Sequence, residues 1–160
     1  MDNTKELLAN QFYNTVLLIQ TTNKDKKLLF GINKMYIIPF VVNCAFALEM
    51  FFKNELSKQG ISYPKTGREG HNLQTLYGLL PQKSLVEAKY DELFDSVKRL
   101  NETKLPLSEV LDKIKFAFLD WRYLEFKDGE PPLPLHCLQI FTEAVKRTLV
   151  SWPVQPELFN

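Results

Sequence analysis

One stretch constrains the fold more than any other. Phe40-Val41-Val42-Asn43-Cys44-Ala45-Phe46-Ala47-Leu48-Glu49-Met50-Phe51-Phe52 is apolar on almost every side when wound as a helix. Such a helix needs cover all round, which makes it the central helix of a bundle. Pro39 suits its first turn, where a missing N–H costs little, and Gly60 suits its end. The stretch from Met35 to Phe52 approaches spanning length but contains Pro39, Asn43 and Glu49, so a buried core helix fits better than a membrane span. Asn43 and Glu49 are therefore expected in the most buried element. An unpaired carboxylate there is costly, so Glu49 is expected to be ion-paired, hydrogen-bonded or protonated.

The rest of the chain punctuates itself into helical blocks around that one. Leu7, Leu8, Phe12, Thr15, Val16 and Ile19 recur at three- and four-residue steps and predict an amphipathic helix over residues 4 to 21. A polar connector follows, from Thr21 to Lys27, whose basic run has no interleaved aromatic residue and reads as a solvated loop. Gly60 to Gly70 is a loop, and Leu73, Leu76, Tyr77 and Leu80 predict a short helix stopped by Pro81. Ser84 with Glu87 resembles a capping box for a helix to about Glu102, with Leu85, Ala88, Leu93, Val97 and Leu100 as an approximate buried stripe. Pro106 and Ser108 announce a further helix that faces Val110, Leu111, Ile114, Phe118 and Trp121 inward. The break at Asp128 to Pro134 precedes a last helix with Leu135, Leu138, Phe141, Val145, Leu149 and Trp152 on one face. No segment sustains strand alternation. The expected fold is all-α: a single-domain antiparallel up-and-down bundle of five or six helices over residues 1–160, its core at about 4–152 and a short tail at 153–160.

Composition matters mainly for what it removes. The 160 residues carry 20 Lys plus Arg against 19 Asp plus Glu, a formal charge of +1. No whole-protein field would gather nucleic acid or anionic membrane, so any such partner needs a local patch. The thiols Cys44 and Cys137 sit in apolar stretches and are expected as buried core residues. Neither has a metal-ligand neighbour at useful spacing, and adjacent His136 and Cys137 diverge on a helix, so no metal or cofactor is expected. The N-terminus does not read as a signal peptide, and the expected compartment is the cytoplasm. A zinc cluster, a Gly-x-Ser-x-Gly elbow, a dinucleotide fingerprint and a basic recognition helix are all missing from the sequence.

Three constellations can carry chemistry. On the central helix, Glu49 and Lys53 are four apart in the favourable order, with Asn43 nearby; they form either a structural ion pair or the floor of a cleft where Glu49 orients a base or binds a cation. In Thr66-Gly67-Arg68-Glu69-Gly70-His71-Asn72-Leu73, glycines, Arg68 and a helix start suit a phosphate, although the P-loop ending is absent. His71 there either caps the short helix or serves as general acid or base. In Phe118-Leu119-Asp120-Trp121-Arg122-Tyr123-Leu124-Glu125-Phe126, Arg122 suits a carboxylate or phosphate clamp, or else pairs with Glu49, a role Lys53 can equally fill.

Taken in order, Asn43-x-Ala45-Phe46-Ala47-Leu48-Glu49-Met50-Phe51-Phe52-Lys53, then Gly70-His71-Asn72-Leu73-x-x-Leu76, then Phe118-x-x-Trp121-Arg122-Tyr123-x-x-Glu125 resemble bacterial members of the HEPN-like superfamily, the higher-eukaryote and prokaryote nucleotide-binding proteins. The resemblance covers residues 35 to 150. It implies an up-and-down helical bundle, often a homodimer, in toxin–antitoxin, phage-defence or RNA-processing settings, with RNA, a nucleotide or a partner protein as ligand and no membrane. Active members are metal-independent ribonucleases with an arginine, four to six residues, then a histidine. Here Lys127, Asp128 and Gly129 follow Arg122 at those spacings, so that signature is absent. The expected function is binding of RNA, a nucleotide or a protein partner, through Arg68, Asn43, Glu49, Lys53, Tyr123 and Glu125. The alternative is a ribonuclease that uses His71 and Arg122.

Overall fold

The apolar run does form one long helix. In the computed structural model, which describes residues 4–22, 36–97, 103–120 and 135–150, the central element is α2 (Ile37–Lys58). Phe40, Val41, Cys44, Ala45, Ala47, Leu48, Phe51, Phe52 and Leu56 are all buried, which accounts for apolar residues on nearly every side. Cover comes from α1 (Thr4–Thr22), α3 (Leu73–Gly78), α6 (Ala117–Asp120) and α7 (Leu135–Leu149), all of which pack on α2. By length and composition α2 is also the one described helix able to cross a membrane, and 72% of that apolar window is buried inside the structure.

Helix α2 stops where the sequence says it should. Gly60 adopts φ +67, a left-handed conformation that costs glycine little. Its N–H donates to Ser57 O at 3.2 Å while the Ile61 N–H donates to Leu56 O at 2.9 Å. These two bonds are the Schellman closure, which satisfies the last carbonyls and turns the chain back along the helix. The turn matters because residues 61–71 then run beside the polar edge of α2.

The remaining elements are α4 (Lys83–Ser96), α5 (Leu107–Ile114) and a 3-10 turn (Arg68–His71) that leads into α3. The described residues are all-α, with no strand among them. Helix α4 packs on α7, and α5 touches α3 and α7. The helix expected from Pro106 onward is interrupted at Lys115 and Phe116, so α5 and α6 are two short segments. Taken as one helix, they bring the described set to six. Val110, Leu111 and Ile114 face inward as expected, whereas Trp121 lies outside the described residues.

Two helices settle in a different register from their hydrophobic pattern. On α1 the buried residues are Ala9, Tyr13 and Val16, while Leu7 is 60% exposed and Thr15 is exposed. Tyr13 wins the interior because its hydroxyl donates to Glu143 on α7 and its ring receives Lys146 Nζ at 4.1 Å. On α4 the buried pair is Val86 and Tyr90, with Leu85 62% exposed and Ala88 exposed. The capping box is not formed. Gln82 is the N-cap without a side-chain cap bond, because its amide donates instead to Glu55 Oε1 at 2.7 Å. The helix ends at Ser96 rather than near Glu102.

Helix α7 buries Leu138, Phe141, Val145 and Leu149 as its stripe predicts; Trp152 lies outside the described residues. Both thiols are buried and free. Burial pushes the Cys44 thiol up to about 12, which makes it a packing residue rather than a nucleophile.

Candidate functional site

The buried carboxylate of Glu49 organises a polar cluster. Its side chain is 1% exposed, and both oxygens are occupied. Lys53 Nζ donates to Oε1 at 2.7 Å from one turn further along α2, the i,i+4 pair that the spacing predicts. The second oxygen, Oε2, lies 3.0 Å from His71 Nδ1. Lys53 is thus one expected partner of Glu49 that the structure places there, while Arg122, the other, lies outside the described residues.

His71 reaches Glu49 because the loop after α2 is folded tightly. It is the last residue of the 3-10 turn, and the helix-capping role falls to its neighbour: Asn72 Oδ1 accepts the Thr75 N–H at 3.2 Å. The Leu73 N–H donates to Lys115 O at 2.9 Å, pinning the start of α3 to the α5–α6 turn. The imidazole ring lies 5.4 Å from the Phe118 ring at a 30° tilt, and Phe118 in turn packs on Phe46. A carboxylate on one side and an aromatic ring on the other therefore fix the ring. Its side chain remains 29% exposed.

That arrangement has a chemical consequence. An ionised carboxylate only accepts hydrogen bonds, so Nδ1 is the donor and a neutral imidazole carries its lone pair on Nε2. Nε2 has no hydrogen-bond partner among the described residues. A histidine held this way is oriented as a proton acceptor by a buried acid, the relation found in general-base sites.

Arg68 opens the same turn. Its guanidinium forks onto Asp120, with Nη2 to Oδ2 at 3.1 Å and Nη1 to Oδ1 at 3.4 Å, and it stacks over the Phe116 ring at 4.0 Å. The fork uses two of five N–H donors and the side chain is well exposed, so donors remain for an incoming oxyanion. Asp120 and Phe116 are the functional neighbours that sequence reasoning missed, since nothing in their spacing ties them to Arg68.

One expected member does not join the cluster. Asn43 is only half-buried, and its amide donates to Pro39 O at 2.6 Å on its own helix. Arg122, Tyr123 and Glu125 lie outside the described residues. Among the described residues there is no group of three or more His, Cys, Asp or Glu suited to a metal ion.

Gly70 makes the close approach possible. A Cβ there would sit 2.9 Å from the Lys65 carbonyl carbon and 3.1 Å from its oxygen, both backbone atoms. Gly70→Ala is expected to cost about 1–3 kcal/mol, the usual range for overpacking, and to displace His71 from Glu49. Urea denaturation with the His71 ring resonances read alongside checks both effects. An unchanged midpoint with unmoved resonances would show that the loop has slack.

Comparison of the chain with models of protein families, with curated proteins and with solved structures finds no match. The functional reading therefore rests on the residues themselves.

Proposed function

We propose that this chain is a HEPN-like protein, a single-domain antiparallel bundle that binds RNA or a nucleotide through the surface around His71 and Arg68. The observation that carries the reading is the Glu49–His71 hydrogen bond at 3.0 Å, flanked in the same turn by a guanidinium with unspent donors. Cations presented as a few placed groups suit a chain with a net charge of only +1, because they attract phosphate locally. The order of the motifs supports a setting in defence, toxin–antitoxin pairing or RNA processing, as a homodimer or with a partner protein. The burial of α2 supports a core helix rather than a membrane span, and the compartment that goes with this reading is the cytoplasm.

The same hydrogen bond favours a second reading, a metal-independent ribonuclease. His71 Nε2 would take the proton of a ribose 2′-hydroxyl, and that oxygen would attack the adjacent phosphorus. The bond to the 5′-oxygen breaks, leaving a 2′,3′-cyclic phosphate and a 5′-oxygen that takes its proton from water. Arg122 or Arg68 would hold the developing charge on the phosphorane.

Incubating the purified protein with total RNA, and titrating it with short single-stranded RNA, tests both readings. Binding by wild type that weakens in Arg68→Ala, without products, supports the binding reading. Cleavage that falls by about 10²–10⁴ in His71→Ala, and also falls in Arg122→Ala, supports the ribonuclease. Neither binding nor cleavage by wild type, or equal behaviour of all variants, would remove the site.

A further inference from the structure

The polar edge of α2 does not end at Lys53. Glu49, Lys53 and Ser57 follow one another at i, i+4 and i+8, so they line one face over about 12 Å of helix axis. The loop that brings His71 to Glu49 brings Tyr63 to the other end of that line. There Tyr63 OH lies 2.9 Å from Ser57 Oγ, and Lys5 Nζ of α1 donates to Ser57 Oγ at 2.9 Å and to Tyr63 OH at 3.1 Å.

Counting protons shows what this three-way cluster has to spare. The Lys5 ammonium has three N–H donors and gives two of them to the hydroxyl oxygens. Each hydroxyl has one proton, and only one of those two lies in the bond between them. One ammonium proton and one hydroxyl proton are therefore unspent among the described residues.

Charge points the same way. Lys58 and Lys53 each meet a carboxylate, Glu6 at 2.6 Å and Glu49 at 2.7 Å. The described partners of Lys5 are hydroxyl oxygens and the face of the Tyr63 ring, with no carboxylate among them. Tyr63 registers the surplus: burial raises its phenol, but the hydrogen bonds from Ser57 and Lys5 and the charges of Lys5 and Lys53 outweigh that and hold it below its ordinary value.

We propose that Lys5, Ser57 and Tyr63 form an oxyanion seat that holds a phosphate group of the nucleotide or RNA strand engaged at His71, an inference that rests on the functional reading above. The three groups leave one ammonium proton and one hydroxyl proton to give, with no carboxylate among their described partners, and both suit a phosphate's acceptor oxygens. The ligand would span the two ends of the line from Glu49 to Ser57, one phosphate at the seat and the reacting or recognised portion beside His71 and Arg68.

The test uses fluorescein-labelled single-stranded hexaadenylate RNA, titrated at several salt concentrations into wild type, Lys5→Met, Tyr63→Phe and His71→Ala. A parallel arm titrates inorganic phosphate and follows the Tyr63 ring resonances. Thermal melts check that Lys5→Met and Tyr63→Phe remain folded, and Tyr63→Phe retains the ring that packs the loop. Lys5→Met is expected to weaken RNA binding about 3–10-fold and to reduce the salt slope by about 0.7, the value for one lost single-strand phosphate contact. Tyr63→Phe should weaken binding without altering that slope. Phosphate should shift the Tyr63 resonances in wild type and in His71→Ala but not in Lys5→Met. If wild type binds RNA while Lys5→Met matches it in affinity and slope, the seat is overturned and the functional reading survives. If RNA does not bind but phosphate gives the Lys5-dependent shift, the seat stands as a free-phosphate site and the functional reading falls. Silence in both arms overturns both.

Discussion

Glu49→Leu is expected to destabilise the protein by about 3–5 kcal/mol, the cost of removing one partner from a buried ion pair. The reason is what it leaves behind. Lys53 is only 8% exposed, and its ammonium would lose the carboxylate 2.7 Å away. His71 Nδ1 would lose its acceptor as well. Glu49→Gln should cost less, since the amide oxygen still accepts one of the two bonds. The decisive comparison is Glu49→Leu with Lys53→Met, because replacing both charges by apolar groups of similar size is often close to neutral. Urea denaturation of the two single variants and the double variant measures the coupling. A double variant as unstable as Glu49→Leu alone would show that the orphaned ammonium is not what the single substitution leaves behind. A single variant that loses under about 1 kcal/mol would show that the pair is effectively solvated.

The Glu49–Lys53 half of this cluster was legible in the sequence, because helical spacing alone sets an i,i+4 pair. So was α2, where apolar residues on all sides admit one solution, and its end at Gly60. The other half was not legible. His71 lies 22 residues from Glu49, and their meeting depends on the Schellman turn, the close contact of Gly70 with Lys65 and the bond from Leu73 to the α5–α6 turn. Gly60 marks the turn in the sequence but not where the chain goes next, and the other two contacts have no spacing rule. Arg68 and Asp120, 52 residues apart, belong to the same category. On α1 and α4 the pattern misled for a different reason. Periodicity counts apolar side chains, whereas burial depends on which of them find a partner. Tyr13 reaches Glu143 with its hydroxyl and Tyr90 reaches the Leu105 carbonyl at 3.0 Å, so both go inside while Leu7 and Leu85 stay out. Gln82 shows the same override, since a contact to Glu55 displaces local capping at Ser84.

Phe52→Ala should cost about 3–5 kcal/mol, and its effect should reach His71. Phe52 is fully buried, with its ring centre 5.8 Å from Tyr77 and 6.4 Å from Phe141, while Tyr77 and Phe141 are 5.9 Å apart. These three rings join α2, α3 and α7 at one point. Truncation removes burial and leaves a cavity between elements that cannot all close on it, and it forfeits ring contacts worth about 0.5–1.5 kcal/mol beyond area. Helix α3 is the vulnerable member. It has six residues, too few to persist without packing, and its Tyr77 ring meets Phe52 on α2. Since the α3 N-cap is Asn72, next to His71, loosening α3 should disturb the imidazole without touching it. Phe52→Leu, which retains most of the volume, should lose less stability and keep the His71 resonances close to wild type. Phe46→Ala provides the contrast: Phe46 is half-buried, with its ring 4.7 Å from Phe118, so it should cost less stability yet remove the support behind the ring that His71 packs against. If Phe52→Ala lowers stability while the His71 ring keeps its wild-type shifts, the loop is held by Gly70 and Lys115 alone, and α3 only follows it.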